Sequence, residues 1–172
     1  IVVGSLPVII AGYLVSRYVG DAFRTIEVIA WSTIGFGIIL GLADRVGMTI
    51  RRIEHMNHGT ALFIGFAQVL ALIPGASRSG VTMTAARILG FERADAARFS
   101  LLLGIPAILG AGTLGGLKLY QSGDMSFGLD AAVAAGIAFV AALISITLMM
   151  AWLRRAGFML FVIYRLILGG AL

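Results

Sequence analysis

From Gly128 to Leu153 the chain runs for 26 residues with a single charged side chain, Asp130. Coiled as a helix, that stretch is about 39 Å long, more than the ~30 Å hydrocarbon core of a bilayer. Four more apolar runs approach the same dimension, at about 1–17, 26–43, 98–118 and 156–172. Hydrophobic residues make up 60% of the 172 and charged ones 12%; soluble domains run at roughly half and a quarter. A soluble domain of this size cannot bury so much apolar surface, so lipid is the solvent for most of the chain. The expected fold is an all-α integral membrane protein, a multi-span helical bundle forming one transmembrane domain over residues 1–172.

The formal charge of +5 does not point to nucleic acid, because the thirteen basic residues sit at the ends of apolar runs without interleaved aromatics. They read as topology signals. Cysteine is absent, which excludes disulfides and thiolate chemistry. The chain opens as "IVVGSLPVIIAGYLV", already inside an apolar run, with neither a methionine nor a basic leader. We therefore expect the first part of the protein to be missing.

Residues 60–90 depart from the spanning pattern. "TALFIGFAQVLALI" and "VTMTAARILGF" are each too short to cross, and "PGASRSG" lies between them. In lipid an unpaired backbone group costs several kcal/mol, so such a break must be surrounded by protein or face a water-filled cavity. Either a re-entrant hairpin or one kinked spanning helix would satisfy the pattern. The arginines favour the hairpin. If it returns to its own side, Arg45, Arg51, Arg52, Arg93, Arg98, Arg154 and Arg155 share one face, opposite Arg17, Arg24 and Lys118. The positive-inside rule makes the first face cytoplasmic. A crossing segment would abolish that bias.

The tip then carries Arg78 at membrane depth, where a charge is a functional hypothesis by default. No acidic residue lies within ten positions on either side to pair with it. Its fork of donors matches phosphate or carboxylate oxygens. Ser77, Ser79, Thr82 and Thr84 add hydroxyls, while Gly75 and Gly80 permit close backbone approach. A second half-helix starting at about Ser79 would aim its free N–H groups at the same place. These residue types call for an oxyanion, and a lipid-borne phosphate suits the depth.

Gln68, polar in an apolar run, either holds the hairpin or contacts substrate. Arg165, in "FVIYRLIL", either adds a second cation to the site or snorkels, with the site favoured. His55 and His58 belong to a charged connection and read as solvated rather than metal-ligating. Glu27, Asp124 and Asp130 fall at the non-cytoplasmic ends of spans. Pro7 and Pro106 read as kinks, and "GFGIILG" (35–41) and "GAGTLGG" (110–116) as faces for close helix approach.

Residues 65–111 resemble the second signature region of the undecaprenyl-diphosphatase, or bacitracin-resistance, family. The PG-x-SRSG core is at Pro74–Gly80, R-x-x-A-x-x-FS-x-LL follows at Arg93 onward, and P-x-x-x-GA is at Pro106–Ala111. "FVIYRLIL" is similar to the family's last helix, and the likeness runs from Ile1 to Leu172. It implies two inverted repeats with re-entrant hairpins whose tips meet at a site open to the periplasm. This chain would hold the second repeat. The implied activity is removal of the terminal phosphate of undecaprenyl diphosphate, recycling the carrier for peptidoglycan synthesis in the bacterial inner membrane.

By that resemblance Arg78, Ser77 and Thr82 serve the reaction, and Gln68, Gly75, Ser79, Gly80 and Arg165 contact the substrate. The implied cofactor is a divalent cation, magnesium or calcium, with no ligand in this chain, and a homodimer is left open. The glutamate-rich stretch and the serine-and-histidine motif of the family's first repeat do not occur here. The chain should therefore hold the phosphate-binding half of the site and lack activity alone. The rival reading is a transporter of inverted repeats whose broken helices meet an anion at mid-membrane.

Overall fold

A computed structural model of the chain describes residues 1–18, 25–122 and 125–172. Arg24 and Asp124 lie outside that set, as does the side chain of Lys118. The described residues form seven α-helices in order: α1 (Val2–Tyr18), α2 (Ile26–Val46), α3 (His58–Val69), α4 (Arg78–Ile88), α5 (Arg93–Ser122), α6 (Met125–Leu153) and α7 (Met159–Ala171). Two one-turn 3₁₀ helices, Ile53–His55 and Leu70–Leu72, sit on either side of α3. Among the described residues there is no strand, only an isolated bridge between Arg51 and Phe91.

Among the described residues three helices are long and apolar enough to cross a membrane, through Ile26–Val46, Arg93–Leu117 and Asp130–Leu153. The runs at 1–17 and 156–172 form shorter helices of 17 and 13 residues. α7 starts at Met159 rather than 156, after a turn in which the Phe158 N–H donates to the Asp44 carboxylate at 3.1 Å. Side chains written next to the helix starts fix two of them. Thr25 accepts from the Val28 N–H, and Asn57 and Thr60 form a reciprocal capping box at the head of α3.

The oily pair α3 and α4 is folded back on itself. The Ile50 and Arg51 N–H groups donate to the Gly90 carbonyl at 3.1 and 2.9 Å, and the Glu92 N–H donates to the Arg51 carbonyl at 2.9 Å. The chain thus enters α3 and leaves α4 side by side. Gly90, at φ 86°, makes the turn that ends α4. α1 lies against α3 so closely that a Cβ on Gly65 would overlap the Gly4 backbone. In "GFGIILG", Gly37 and Gly41 approach α7 closely, whereas Gly110, Gly112, Gly115 and Gly116 of "GAGTLGG" face open space among the described residues.

α4 is buried through Val81–Arg87 and stands between two apolar cores. Ala85 and Ala86 join Ala61 and Ile64 of α3 and Phe99 and Leu103 of α5. Met83 joins Leu40 of α2, Leu153 of α6 and Val162 of α7. Its C-terminal end is locked by a polar cluster. The Arg87 guanidinium, 1% exposed, donates to the carbonyls of Phe91 (2.6 Å), Gly47 (2.9 Å) and Asp44 (3.2 Å). The Asp44 carboxylate lies 3.2 Å from Arg87 Nε, accepts from Arg93 Nε at 2.7 Å, and holds the Phe158 N–H. The segments around 44–53, 87–95 and 157–158 therefore meet at one end of the bundle, where the sequence grouped its arginines.

Because removing one partner of a buried pair strands the other, Asp44→Ala should destabilise the whole protein by about 3–5 kcal/mol. Arg93→Ala, which removes a partly exposed partner, should cost well under half of that. Thermal unfolding in detergent separates the two.

Candidate anion-binding site

The break opposite that cluster spans Leu70 to Ser77. The Ile73 N–H closes the 3₁₀ turn on Leu70, and the Ala76 N–H closes the next turn on Ile73 at 3.1 Å. Gly75 sits at φ 87°, and Ser77 at φ 64° and ψ 111°. A left-handed φ on a non-glycine residue is strained by roughly 1–3 kcal/mol and persists only where the surroundings enforce it. The enforcement comes from α4 itself: the Ser77 hydroxyl accepts from the Gly80 N–H at 3.3 Å and its carbonyl from the Val81 N–H at 3.0 Å. Ser77 is thus the N-cap of α4, which starts at Arg78, one residue earlier than expected.

The freed carbonyls of the break are met from two other helices. The Ser32 hydroxyl of α2 donates to the Pro74 carbonyl, and the Thr33 hydroxyl donates to that of Gly75 at 3.3 Å. Arg165 of α7 donates to the same Gly75 carbonyl at 2.7 Å and to the Thr33 carbonyl at 3.2 Å. It is buried and does not snorkel. Gly37 on α2 leaves room for it to pass, and its Nη1 faces the first turn of α4 at Gly80. A Cβ on Gly75 would strike Ser32 and the Ile29 carbonyl, so no larger residue fits there.

These groups open onto a cavity of about 490 Å³. Its polar end is formed by Thr33, Gly75, Ser77, Ser79, Gly80 and Arg165, and its apolar walls include Met83, Phe161 and Leu168. Five of the eight expected site residues line it. The other three lie elsewhere. The Thr82 hydroxyl, 1% exposed, is 2.6 Å from that of Ser100 on α5 and bonds back to the carbonyls of Arg78 (3.0 Å) and Ser79 (3.2 Å). The Arg78 guanidinium lies against Gly104 of α5, and its Nη1 is buried with no hydrogen-bond partner among the described residues. Gln68 is fully buried, with neither its amide oxygen nor its nitrogen paired among the described residues.

The tip thus presents a guanidinium on each flank of the α4 N-terminus, Arg165 toward α2 and Arg78 toward α5. Between them the first-turn N–H groups of Arg78 and Ser79 have no intrahelical acceptor. Positive charge, free donors and small residues surround one helix end, and an oxyanion is what that arrangement accommodates. A divalent cation does not suit it: the tip offers guanidiniums and hydroxyls, not carboxylates. Among the described residues no group of three or more His, Cys, Asp or Glu side chains is placed to hold a metal ion. The His55 ring accepts from the Arg52 N–H at 3.1 Å, a capping contact.

Ser32, Thr33, Ser100 and Gly104 were not among the expected residues. The adjacent hydroxyls in "AWSTIGFG" are a legible signal, being polar groups in mid-run. Gly104 carries no such mark.

Fold and tip together define a helical membrane protein with a cationic, donor-rich helix end set among apolar helices. Comparison with known proteins gives the family. The chain matches the model of the bacitracin resistance protein BacA over residues 1–171 and belongs to that family. It is 51% identical over 173 residues to undecaprenyl-diphosphatase 1 of Rhodospirillum rubrum, covering 100% of this chain and 61% of that protein. It is 46% identical over 172 residues to the undecaprenyl-diphosphatase of Hahella chejuensis, covering 100% and 64%. The chain therefore spans somewhat under two thirds of the length of these relatives.

A lysine cannot reproduce the two directed bonds of Arg165. Arg165→Lys should therefore lower stability by about 1.5–3 kcal/mol, the worth of charged hydrogen bonds. Thr82→Val should cost about 1 kcal/mol by leaving the buried Ser100 hydroxyl only its 3.4 Å contact to the Ser79 carbonyl, while Thr82→Ser should restore most of it. Unfolding midpoints of the whole protein check both.

Proposed function

We propose that this chain supplies the phosphate-binding half of a membrane enzyme that hydrolyses undecaprenyl diphosphate to undecaprenyl phosphate and orthophosphate. That reaction recycles the lipid carrier for peptidoglycan synthesis and gives bacitracin resistance. The observation that carries the reading is the Arg78 guanidinium: its Nη1 is buried with no hydrogen-bond partner among the described residues, at the start of a helix inside an oily bundle. An arginine kept only for stability would be paired. Membership of the family and the names of the relatives supply the substrate.

In this reading the 60–90 pair is a re-entrant hairpin of an inverted repeat, and residues 1–172 are one transmembrane domain. The cluster around Asp44 and its neighbouring exposed arginines lies at the cytoplasmic face of the bacterial inner membrane, by the positive-inside rule. The tip lies deeper and is reached from the outer side. The diphosphate sits at the N-terminus of α4. Arg78 and the free N–H groups take up charge that develops as the bond between the two phosphoryl groups breaks. Ser77, Ser79 and Arg165 line the approach, the backbone at Gly75 and Gly80 stays close, and Thr82 holds the helix. Gln68 is fully buried beside the break with its amide unmet among the described residues, and its place near the substrate follows from the family resemblance. Magnesium or calcium, if used, would draw its ligands from outside this tip. The chain alone is inactive in this account, and a homodimer is compatible with it.

In the whole protein Arg78→Ala should leave folding intact and reduce phosphate release by 10²–10³ or more, as for loss of a preorganised donor. The assay is orthophosphate release from the lipid diphosphate in detergent, where no gradient exists. Activity within a few-fold of the parent would sink the assignment. Movement of substrate across sealed vesicles without hydrolysis would favour transport instead.

A further inference from the structure

We propose that Ser100 and Gly104, one helical turn apart on α5, are positioning residues that set where the Arg78 guanidinium points. The inference rests on the anion-binding reading of Arg78 and adds how that group is aimed.

Residues i and i+4 of a helix share a face, and this face of α5 meets the first turn of α4. Ser100, 1% exposed, bonds to the Thr82 hydroxyl at 2.6 Å and reaches the Ser79 carbonyl at 3.4 Å. Thr82 in turn bonds the carbonyls of Arg78 and Ser79. The two hydroxyls thereby tie the backbone that bears Arg78 to a fixed height and rotation on α5. One turn farther along, Gly104 offers bare backbone. A Cβ built there would overlap Nη1, Nη2 and Cζ of Arg78, so the guanidinium occupies the space a side chain would take. Arginine has four rotatable torsions and would otherwise explore several positions. With its backbone pinned by Ser100 and its head resting on Gly104, it is held in one, although Nη1 gains no hydrogen bond there. An unpaired buried donor is unfavourable, so the seat fixes direction rather than adding a bond.

The test is a double-mutant cycle in the whole protein with Gly104→Ala, Arg78→Ala and the two combined. If Gly104 acts through Arg78, Gly104→Ala alone displaces the guanidinium, lowering the melting temperature and reducing kcat/KM at least tenfold. In the Arg78→Ala background the added methyl has room, and alanine favours a helix over glycine. There the same change should leave the melting temperature unchanged or raise it. An equal drop in both backgrounds would overturn the proposal, because Gly104 would then be a packing glycine with no link to Arg78. Retention of full kcat/KM by Gly104→Ala would overturn it as well. For Ser100, Ser100→Ala should reduce kcat/KM and Ser100→Thr should recover part of it; no change in the alanine variant would remove Ser100 from the seat. The Arg78→Ala variant by itself decides the functional reading, while the sign of the stability change decides the positioning, so the two fail separately.

Discussion

The carbonyls of Pro74 and Gly75 govern the centre of this structure. A helix pair broken inside an oily bundle exposes backbone that lipid cannot satisfy. Here the deficit is met by Ser32 and Thr33 of α2 and by Arg165 of α7. The break is therefore an assembly of three helices rather than a local turn. It ends on Ser77, whose left-handed φ starts α4 and turns that helix's free N–H groups toward the interior. Without the donors from α2 and α7 the tip has no reason to hold its shape.

α4 carries this organisation through the bundle. One end is the tip flanked by Arg78 and Arg165, and the other is clamped by Arg87 and Asp44 to the ends of α2, α5 and α7. Its two flanks carry different chemistry. Toward α2 and α7 lies a cavity with a polar end and apolar walls, suited to a headgroup attached to a hydrocarbon chain. Toward α5 lies the seat of Arg78. The strained and unpaired groups, Ser77, Arg78 and Gln68, concentrate at the tip, where binding a ligand compensates what folding leaves unmet.

Much of this was legible in the sequence, and the rest was not for identifiable reasons. Apolar run lengths located α2, α5 and α6, and Pro74, Gly75 and the hydroxyls marked the break. The arginine distribution put 45–52, 93–98 and 154–155 on one face, and the Asp44 cluster joins segments next to them. The start of α7 was hidden because Ala156–Phe158 continue the apolar run, and nothing local shows that the Phe158 N–H is held by Asp44, 114 residues away. Arg87 passed unnoticed inside an apparently polar helix end, although it is nearly inaccessible. The tip residues read as one converging set because sequence spacing does not reveal helix rotation. Thr82 faces Ser100, and Arg78 faces a glycine that no composition rule would single out.

The central claim is that the start of α4, flanked by Arg78 and Arg165, receives the phosphate. A structure of the whole protein with a non-hydrolysable isoprenyl diphosphate analogue tests it most directly. The account predicts a phosphoryl group within hydrogen-bond distance of the Arg78 guanidinium and the first N–H groups of α4, its chain running along the apolar walls by Met83 and Phe161. A headgroup bound elsewhere, with Arg78 still unpaired, would contradict it.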